Sequence, residues 1–289
     1  MAAHTTFKVG GPADLWVKPS LEDWQNGAAG ILLEAAHRER IPVFVLGGGA
    51  NLVVSDQGIR GIVLDMSGNS GLAHTSKGSQ TLTFRAGSSV DEAVDEAARR
   101  DLGGLEFLAG MPGSIGGALW MNARCYDREM ADVVSQVELL GAEGKLISLA
   151  PKKEEFSYKK SPFQTRDDLI LNVSFALDKK DSLLIQKKMT EHRNDREAKG
   201  HYRFPSAGSA FKNNRAFGKP TGKIIDELGL KGFALGDAQV APWHGNIIIN
   251  RGKARAADIR ALVTELQDRA KAALGIDLEP EILFTGDWP

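Results

Sequence analysis

The stretch LEFLAGMPGSIGGALWMNARCYDREM, residues 105–130, sets Gly110, Gly113, Gly116 and Gly117 among small residues, with Met111, Pro112 and Ser114 between them and Asn122 just beyond. An earlier stretch, VLGGGANLVVSD at 45–56, runs Gly47, Gly48, Gly49, Ala50, Asn51, Leu52. Glycine in a packed element costs backbone entropy, so this density calls for tight turns or for something lying close against the main chain. Successive backbone N–H groups in such a turn can form a nest for an anion. Pro112 stiffens the second loop, the small residues leave N–H groups uncovered, and Asn122 adds a neutral hydrogen bonder. Ordinary turns account for either stretch alone; two phosphate-sized nests in one domain suit the pyrophosphate of a dinucleotide. The first stretch is no Rossmann fingerprint. Leu52 stands at the third glycine position, Val53-Val54 follows where a helix should begin, and the next strand arrives too soon for a βαβ crossover. A Walker A lysine and serine are also missing.

Composition narrows the classes. The chain has 289 residues, 42% hydrophobic and 25% charged, ordinary for a globular protein of one large or two to three small domains. A formal net charge of -1 gives the whole molecule no reason to seek nucleic acid or anionic lipid. Cys125 is the sole cysteine, so no intrachain disulfide forms. The six histidines are scattered without zinc-ligand spacing, and no metal is expected. No apolar run reaches the roughly 20 residues of a membrane helix, and residues 1–7 lack the apolar core of a signal peptide. A cytoplasmic protein is expected.

Periodicity supplies the elements that must position these loops. Residues 21–40 read as a helix capped by Ser20, 42–46 and 61–66 as strands, and 67–79 as a weak Gly/Ser-rich boundary. Residues 81–86 alternate like a strand, and Ser89-Val90-Asp91-Glu92 is a capping box ahead of a helix with Val90, Val94, Ala97 and Ala98 on its apolar face. Residues 137–140 and 145–149 form an expected hairpin around 141–144, and 169–177 a strand. The charged run 178–181 leads into a helix over 182–198 and marks the main expected boundary. Beyond it come helices at 221–228 and 256–274, ended by Gly229 and Gly275, a strand at 246–250 and a closing strand at 278–284.

Read in order, seven blocks resemble one family. They are HTTFKVGGPADLWVKP (4–19), VLGGGANLVVSD, LAGMPGSIGGALWMNA, YKKSPF (158–163), FPSAGSAFKN (204–213), GLKGFALGDAQVAPWHGNIIIN (229–250) and LEPEILF (278–284). Their order and spacing are similar to those of UDP-N-acetylenolpyruvoylglucosamine reductases, over about residues 4–286. The resemblance implies an α+β chain: a two-part FAD-binding domain of the PCMH, vanillyl-alcohol oxidase-like type at 1–70 and 71–180, and a C-terminal α/β substrate-binding domain at 181–289. It implies noncovalent FAD with its pyrophosphate on the two glycine loops, NADPH as hydride donor, and UDP-N-acetylglucosamine-enolpyruvate as substrate on the way to peptidoglycan, hence a part in cell shape and division. The short interval from Lys159 to Lys199 leaves no room for the insertion of the long form, so the likeness is to the short, type II form. A monomer is expected.

The implied reaction is hydride transfer to C3 of the enolpyruvyl ether and protonation at C2. Ser209 matches the family's proton donor and Glu281 its catalytic glutamate, while Lys159 stands where the family carries arginine. Read without the resemblance, Ser209 is a turn or cap residue, Glu281 a carboxylate on a solvated strand face, and Lys159 surface charge. Tyr158, Lys199, Asn213 and His244 match substrate-contacting positions. Arg124 and Asp127 replace the family's usual glycines, and Gly-His-Tyr-Arg follows Lys199 in place of Gln-Pro-Leu-Glu. Competing readings are another FAD oxidoreductase of this type acting on a sugar or alcohol, and a flavin-binding regulator with impaired catalysis.

Overall fold

The computed structural model describes residues 1–75, 78–141 and 143–289. Ser76 and Lys77 of the expected boundary, and Ala142 of the expected hairpin turn, lie outside the described residues. The chain forms two compact units, Leu15–Gly48 with Gly61–Asn194, and Met1–Asp14 with Gly49–Arg60 and Asp195–Pro289.

The first unit is built on a five-stranded antiparallel sheet in the order Leu146–Leu149, Val134–Leu140, Leu169–Ala176, Thr81–Arg85, Leu72–His74. Val43–Leu46 runs parallel to Ile59–Asp65, Val43 opposite Ile62 and Leu46 opposite Asp65, and delivers the chain into Gly47. The helix expected over 21–40 is two helices, α1 (Leu21–Gln25) and α2 (Ala28–Arg38). Gly27 between them takes a left-handed φ of 83°, which breaks the hydrogen-bond ladder. Helix α3 (Val90–Arg99) begins on the expected box: Ser89 Oγ accepts the Glu92 N–H at 3.1 Å and the Glu92 carboxylate accepts the Ser89 N–H at 3.0 Å. Its buried Val90, Ala93, Val94, Ala97 and Ala98 pack into a core that also holds Phe84, Ile115, Leu119, Met130 and Phe175.

The second glycine stretch is not loop throughout, as expected from sequence. Residues 115–120 form helix α4 (Ile115–Trp120), capped by Ser114, because Ile115, Ala118 and Leu119 bury one face. Helix α5 (Ser182–Ala198) matches its expected bounds, and the division between units falls within it.

In the second unit Leu52–Val54 pairs in parallel with Leu283–Thr285. A separate antiparallel sheet orders Ala234–Leu235, Ala238–Val240 and Ile248–Asn250. Helix α6 (Thr221–Glu227) and helix α7 (Ala256–Leu274) cover a core of Phe7, Val53, Phe211, Ile225, Leu262 and Leu266. The closing strand is shorter than the expected 278–284 because Pro280 has no N–H for a ladder; it makes only an isolated bridge to Phe211.

Candidate functional site

In the first unit the two glycine stretches meet. The Ser114 hydroxyl accepts the Gly48 N–H at 3.2 Å and the Gly117 N–H at 3.3 Å. A Cβ on Gly48 would lie 2.5 Å from the Gly113 Cα, and one on Gly116 would lie 2.8 Å from the Ala86 Cβ. Part of the glycine density is therefore explained by main chain packed on main chain. Gly48, Pro112 and Gly117 are nevertheless exposed. These glycines bring bare main chain to the surface next to the buried Ser114 side chain. Several N–H groups expected to lie uncovered are taken within the protein: those of Gly48 and Gly117 by Ser114, that of Gly116 by the Ala86 carbonyl and that of Met111 by the Leu108 carbonyl. What glycine offers a dinucleotide pyrophosphate here is therefore close approach to the main chain. Gly110 is fixed from outside the loop, its N–H donating to Asp91 at 2.9 Å while Arg193 donates to the same carboxylate oxygen at 2.8 Å. Sequence reasoning missed this function of Asp91 because capping boxes carry acids in that turn anyway.

Two substitutions separate the two uses of glycine. In Gly48→Val the side chain must displace the backbone of Gly113. Overpacking of this kind costs about 1–3 kcal/mol of stability, so the melting midpoint should fall, and FAD should bind less well because the displaced loop no longer presents the same main chain. In Gly117→Ala the new methyl meets only the Ser114 hydroxyl, at 3.3 Å. That variant should keep its stability yet bind FAD less well. Calorimetric titration of apoprotein checks both; unchanged FAD affinity in Gly117→Ala would separate the patch from cofactor binding.

Asn122 is fully buried. Its amide donates to the Ser157 carbonyl at 3.0 Å and accepts the Ala131 N–H at 3.1 Å. It thus anchors the tight turn that carries Tyr158 and Lys159, in which Ser157 and Lys160 exchange N–H···O bonds of 3.1 and 3.0 Å. Lys159 sits at a left-handed φ of 60° and its ammonium lies 5.8 Å from the centre of the Tyr158 ring.

In the second unit Gly49 is buried at a φ of 61°, and its carbonyl accepts the Thr6 N–H at 3.1 Å. Ala50 follows, and Leu52 opens the parallel strand. Asn51 ties this loop to the chain's last segment: its amide donates to the Glu281 carbonyl at 2.9 Å, and its own carbonyl accepts the Leu283 N–H at 2.9 Å. The Glu281 N–H in turn donates to the Ala210 carbonyl at 2.8 Å, and Ser209 bridges to Ile247. Ser209 and Glu281, 72 positions apart in sequence, are thus carried on adjoining backbone segments, both half-buried.

The other expected substrate residues also lie in this unit. Asn213 is exposed and its side-chain oxygen accepts the Thr221 N–H at 2.9 Å, capping α6. Lys199 pairs with Asp195 at 2.6 Å. His244 accepts the Asn246 N–H on Nδ1 at 3.2 Å. The His201 and His244 rings are 6.4 Å apart. Burial, then the Arg196 charge, lowers His201 to about 4, with His244 and Lys199 adding to the effect. Burial and the Lys199 charge also hold His244 below its ordinary value. Sequence reasoning passed over His201, in a segment that stood out only as a departure.

The folded-state value of His201 lies below the unfolded one, near 6.5. Its contribution is complete above about 6.5 and is lost as pH falls toward 4, because the unfolded chain takes the proton first. Urea midpoints measured across this range should fall with acidification more steeply for the native chain than for His201→Gln; parallel curves would refute it.

Residues 30–150 match the FAD binding domain family, and residues 200–285 match the family described as UDP-N-acetylenolpyruvoylglucosamine reductase, C-terminal domain. The UDP-N-acetylenolpyruvoylglucosamine reductase of Treponema denticola is 39% identical, the match covering 98% of this chain and 91% of the relative. That of Borreliella burgdorferi is 37% identical over 99% and 93%. The crystal structure of the reductase from Thermus caldophilus superposes with a TM-score of 0.78 at 34% identity, covering 100% of this chain and 97% of that one.

Proposed function

The chain belongs to the UDP-N-acetylenolpyruvoylglucosamine reductase family, and from that premise we propose how its residues reduce the enolpyruvyl ether of UDP-N-acetylglucosamine-enolpyruvate to UDP-N-acetylmuramate, a step of peptidoglycan precursor synthesis. It is an FAD-dependent oxidoreductase. Bound FAD supplies the hydride chemistry, with NADPH as the electron donor. Gly47, Gly48, Gly110, Gly113 and Gly117 let the cofactor lie close against the main chain and Ser114 offers its O–H, with Gly49, Ala50, Asn51 and Leu52 continuing the first loop.

Residues of the chain meet two chemical demands. As the enolpyruvyl double bond is reduced, negative charge develops toward the substrate carboxylate, and a fixed cation there lowers the barrier. Lys159, with the Tyr158 ring beside it, takes this task. A proton must then reach C2. Ser209 donates it; a hydroxyl is a weak acid, but the carbanion-like partner is a strong base, so position suffices. Glu281 completes the pair, and Lys199, Asn213 and His244 contact the nucleotide sugar. In this reading residues 1–70 and 71–180 serve the flavin, the latter also lending Tyr158 and Lys159 to the substrate, 181–289 bind the substrate, and the protein acts as a cytoplasmic monomer, in support of cell shape and division. Among the described residues no helix is long and apolar enough to cross a membrane.

The observation that carries the reading is the hydrogen bond from the Glu281 N–H to the Ala210 carbonyl, 2.8 Å, which sets the segments of the two catalytic candidates side by side. The test is NADPH consumption by the purified yellow protein. It should be fast only when the enolpyruvyl substrate is present. Oxidation of NADPH that ignores this substrate and instead accompanies an alcohol or sugar would replace the reading.

A further inference from the structure

We propose that Arg124 and Lys159, both beside the Tyr158 ring, form a two-cation clamp that grips the carboxylate of the substrate, with Arg124 supplying the planar, two-donor part of the grip. The proposal rests on the function argued above and assigns Arg124 a substrate-binding task in it. The Arg124 guanidinium lies 5.9 Å from the centre of the Tyr158 ring and the Lys159 ammonium 5.8 Å from the same centre. The two cations come from different turns. Arg124 opens a short hairpin in which it faces Glu129 and Cys125 faces Arg128, with Tyr126 and Asp127 at left-handed φ values of 50° and 58°. Lys159 sits in the turn closed by Ser157 and Lys160. The buried amide of Asn122, two residues before Arg124, holds the Ser157 carbonyl, so one side chain fixes both turns. Gln164 adds a bond to the Lys159 carbonyl at 3.1 Å.

The acids near Arg124 do not saturate it. Asp127 and Glu129 approach it only to 3.9 Å each, well beyond the roughly 2.7–2.9 Å of a charge-assisted hydrogen bond. Asp127 is fully solvent-exposed. A ligand carboxylate reaching hydrogen-bond distance therefore outcompetes both. The guanidinium fork matches the two oxygens of a carboxylate, which the ammonium of Lys159 does not. Lysine contributes charge, arginine orientation, and the Tyr158 hydroxyl a further donor.

The test uses the oxidised holoenzyme and two probes, UDP-N-acetylglucosamine-enolpyruvate and UDP-N-acetylglucosamine, which share the diphosphate but not the carboxylate. Affinity is read by calorimetry, apart from turnover. Loss of a hydrogen bond to a charged group is worth about tenfold or more. Arg124→Ala should weaken the enolpyruvyl ligand by that factor and leave UDP-N-acetylglucosamine within about twofold of the native value. Arg124→Lys should fall between, and Arg124→Ala with Lys159→Ala should lose less than the product of the single losses, as coupled residues do. Equal weakening of both probes would assign Arg124 to the diphosphate and overturn the proposal, as would unchanged affinity for both. Should Arg124→Ala lose its flavin, Arg124→Gln, which keeps most of the stem, takes its place under the same criteria. A native enzyme that neither binds nor turns over the enolpyruvyl ligand would instead overturn the functional reading itself.

Discussion

Ser209→Ala will leave reduction of the flavin by NADPH at the native rate and slow its reoxidation by the enolpyruvyl substrate by roughly 10² or more, the usual scale for loss of a general acid. The first half-reaction delivers no proton to the product carbon, so the hydroxyl is idle there. The segment that carries Ser209 is held by main-chain bonds that the substitution does not touch. The Ala210 N–H donates to the Asn246 carbonyl at 2.8 Å, and the Ala210 carbonyl accepts the Glu281 N–H at 2.8 Å. The Asn246 side chain adds two more bonds, accepting the Phe211 N–H at 2.9 Å and donating to the Phe211 carbonyl at 2.8 Å. Removing one half-buried oxygen should therefore change chemistry and not backbone. Stopped-flow traces of the two half-reactions give the answer. If both rates drop together, Ser209 is a structural residue. Glu281→Gln should show the same pattern, since the backbone at Glu281 is held by Ala210 and Asn51 whatever its side chain carries.

Lys159→Ala should depress substrate-dependent reoxidation by about 10²–10³, the cost of losing one donor to developing charge, with little change in flavin reduction by NADPH. A left-handed φ of 60° is uncommon for a residue with a Cβ. It is maintained here by the bonds between Ser157 and Lys160 and by Gln164 on the Lys159 carbonyl. Alanine inherits the same backbone strain, so the comparison isolates the ammonium. Lys159→Arg should keep activity. Lys160→Ala, at the exposed next position, should leave both half-reactions unaltered. Reoxidation at the native rate in Lys159→Ala would remove this lysine from the mechanism.

Local rules read most of the framework correctly. The capping box at Ser89, the stop at Gly275 and the apolar face of α7 are decided within a few residues, and all three form as expected. Failures fall where a tertiary contact or one backbone angle outweighs the pattern. Gly27 divides a continuous amphipathic run, Pro280 truncates the last strand, and Ile115, Ala118 and Leu119 draw a glycine-rich stretch into a helix by burying one face. The glycines also carry a double meaning that sequence cannot separate, since a close neighbour can be a ligand or another loop. At Gly48 the neighbour within the protein is Gly113. The candidate residues stand in ordered motifs, whereas Asp91 and His201 acquire their interest only from what folding brings beside them, and Arg124, visible in the sequence as a departure, gains a task from its place beside the Tyr158 ring.

The central claim, that this chain passes electrons from NADPH through bound FAD to an enolpyruvyl ether, is tested most directly by a single turnover under anaerobic conditions. The holoenzyme is reduced with one equivalent of NADPH, mixed with UDP-N-acetylglucosamine-enolpyruvate, and followed by flavin absorbance and product mass. NADPH should bleach the flavin, added substrate should restore the oxidised spectrum, and UDP-N-acetylmuramate should form in the amount of flavin reoxidised. A flavin that stays reduced until oxygen is admitted, with the enolpyruvyl substrate recovered unchanged, would contradict it.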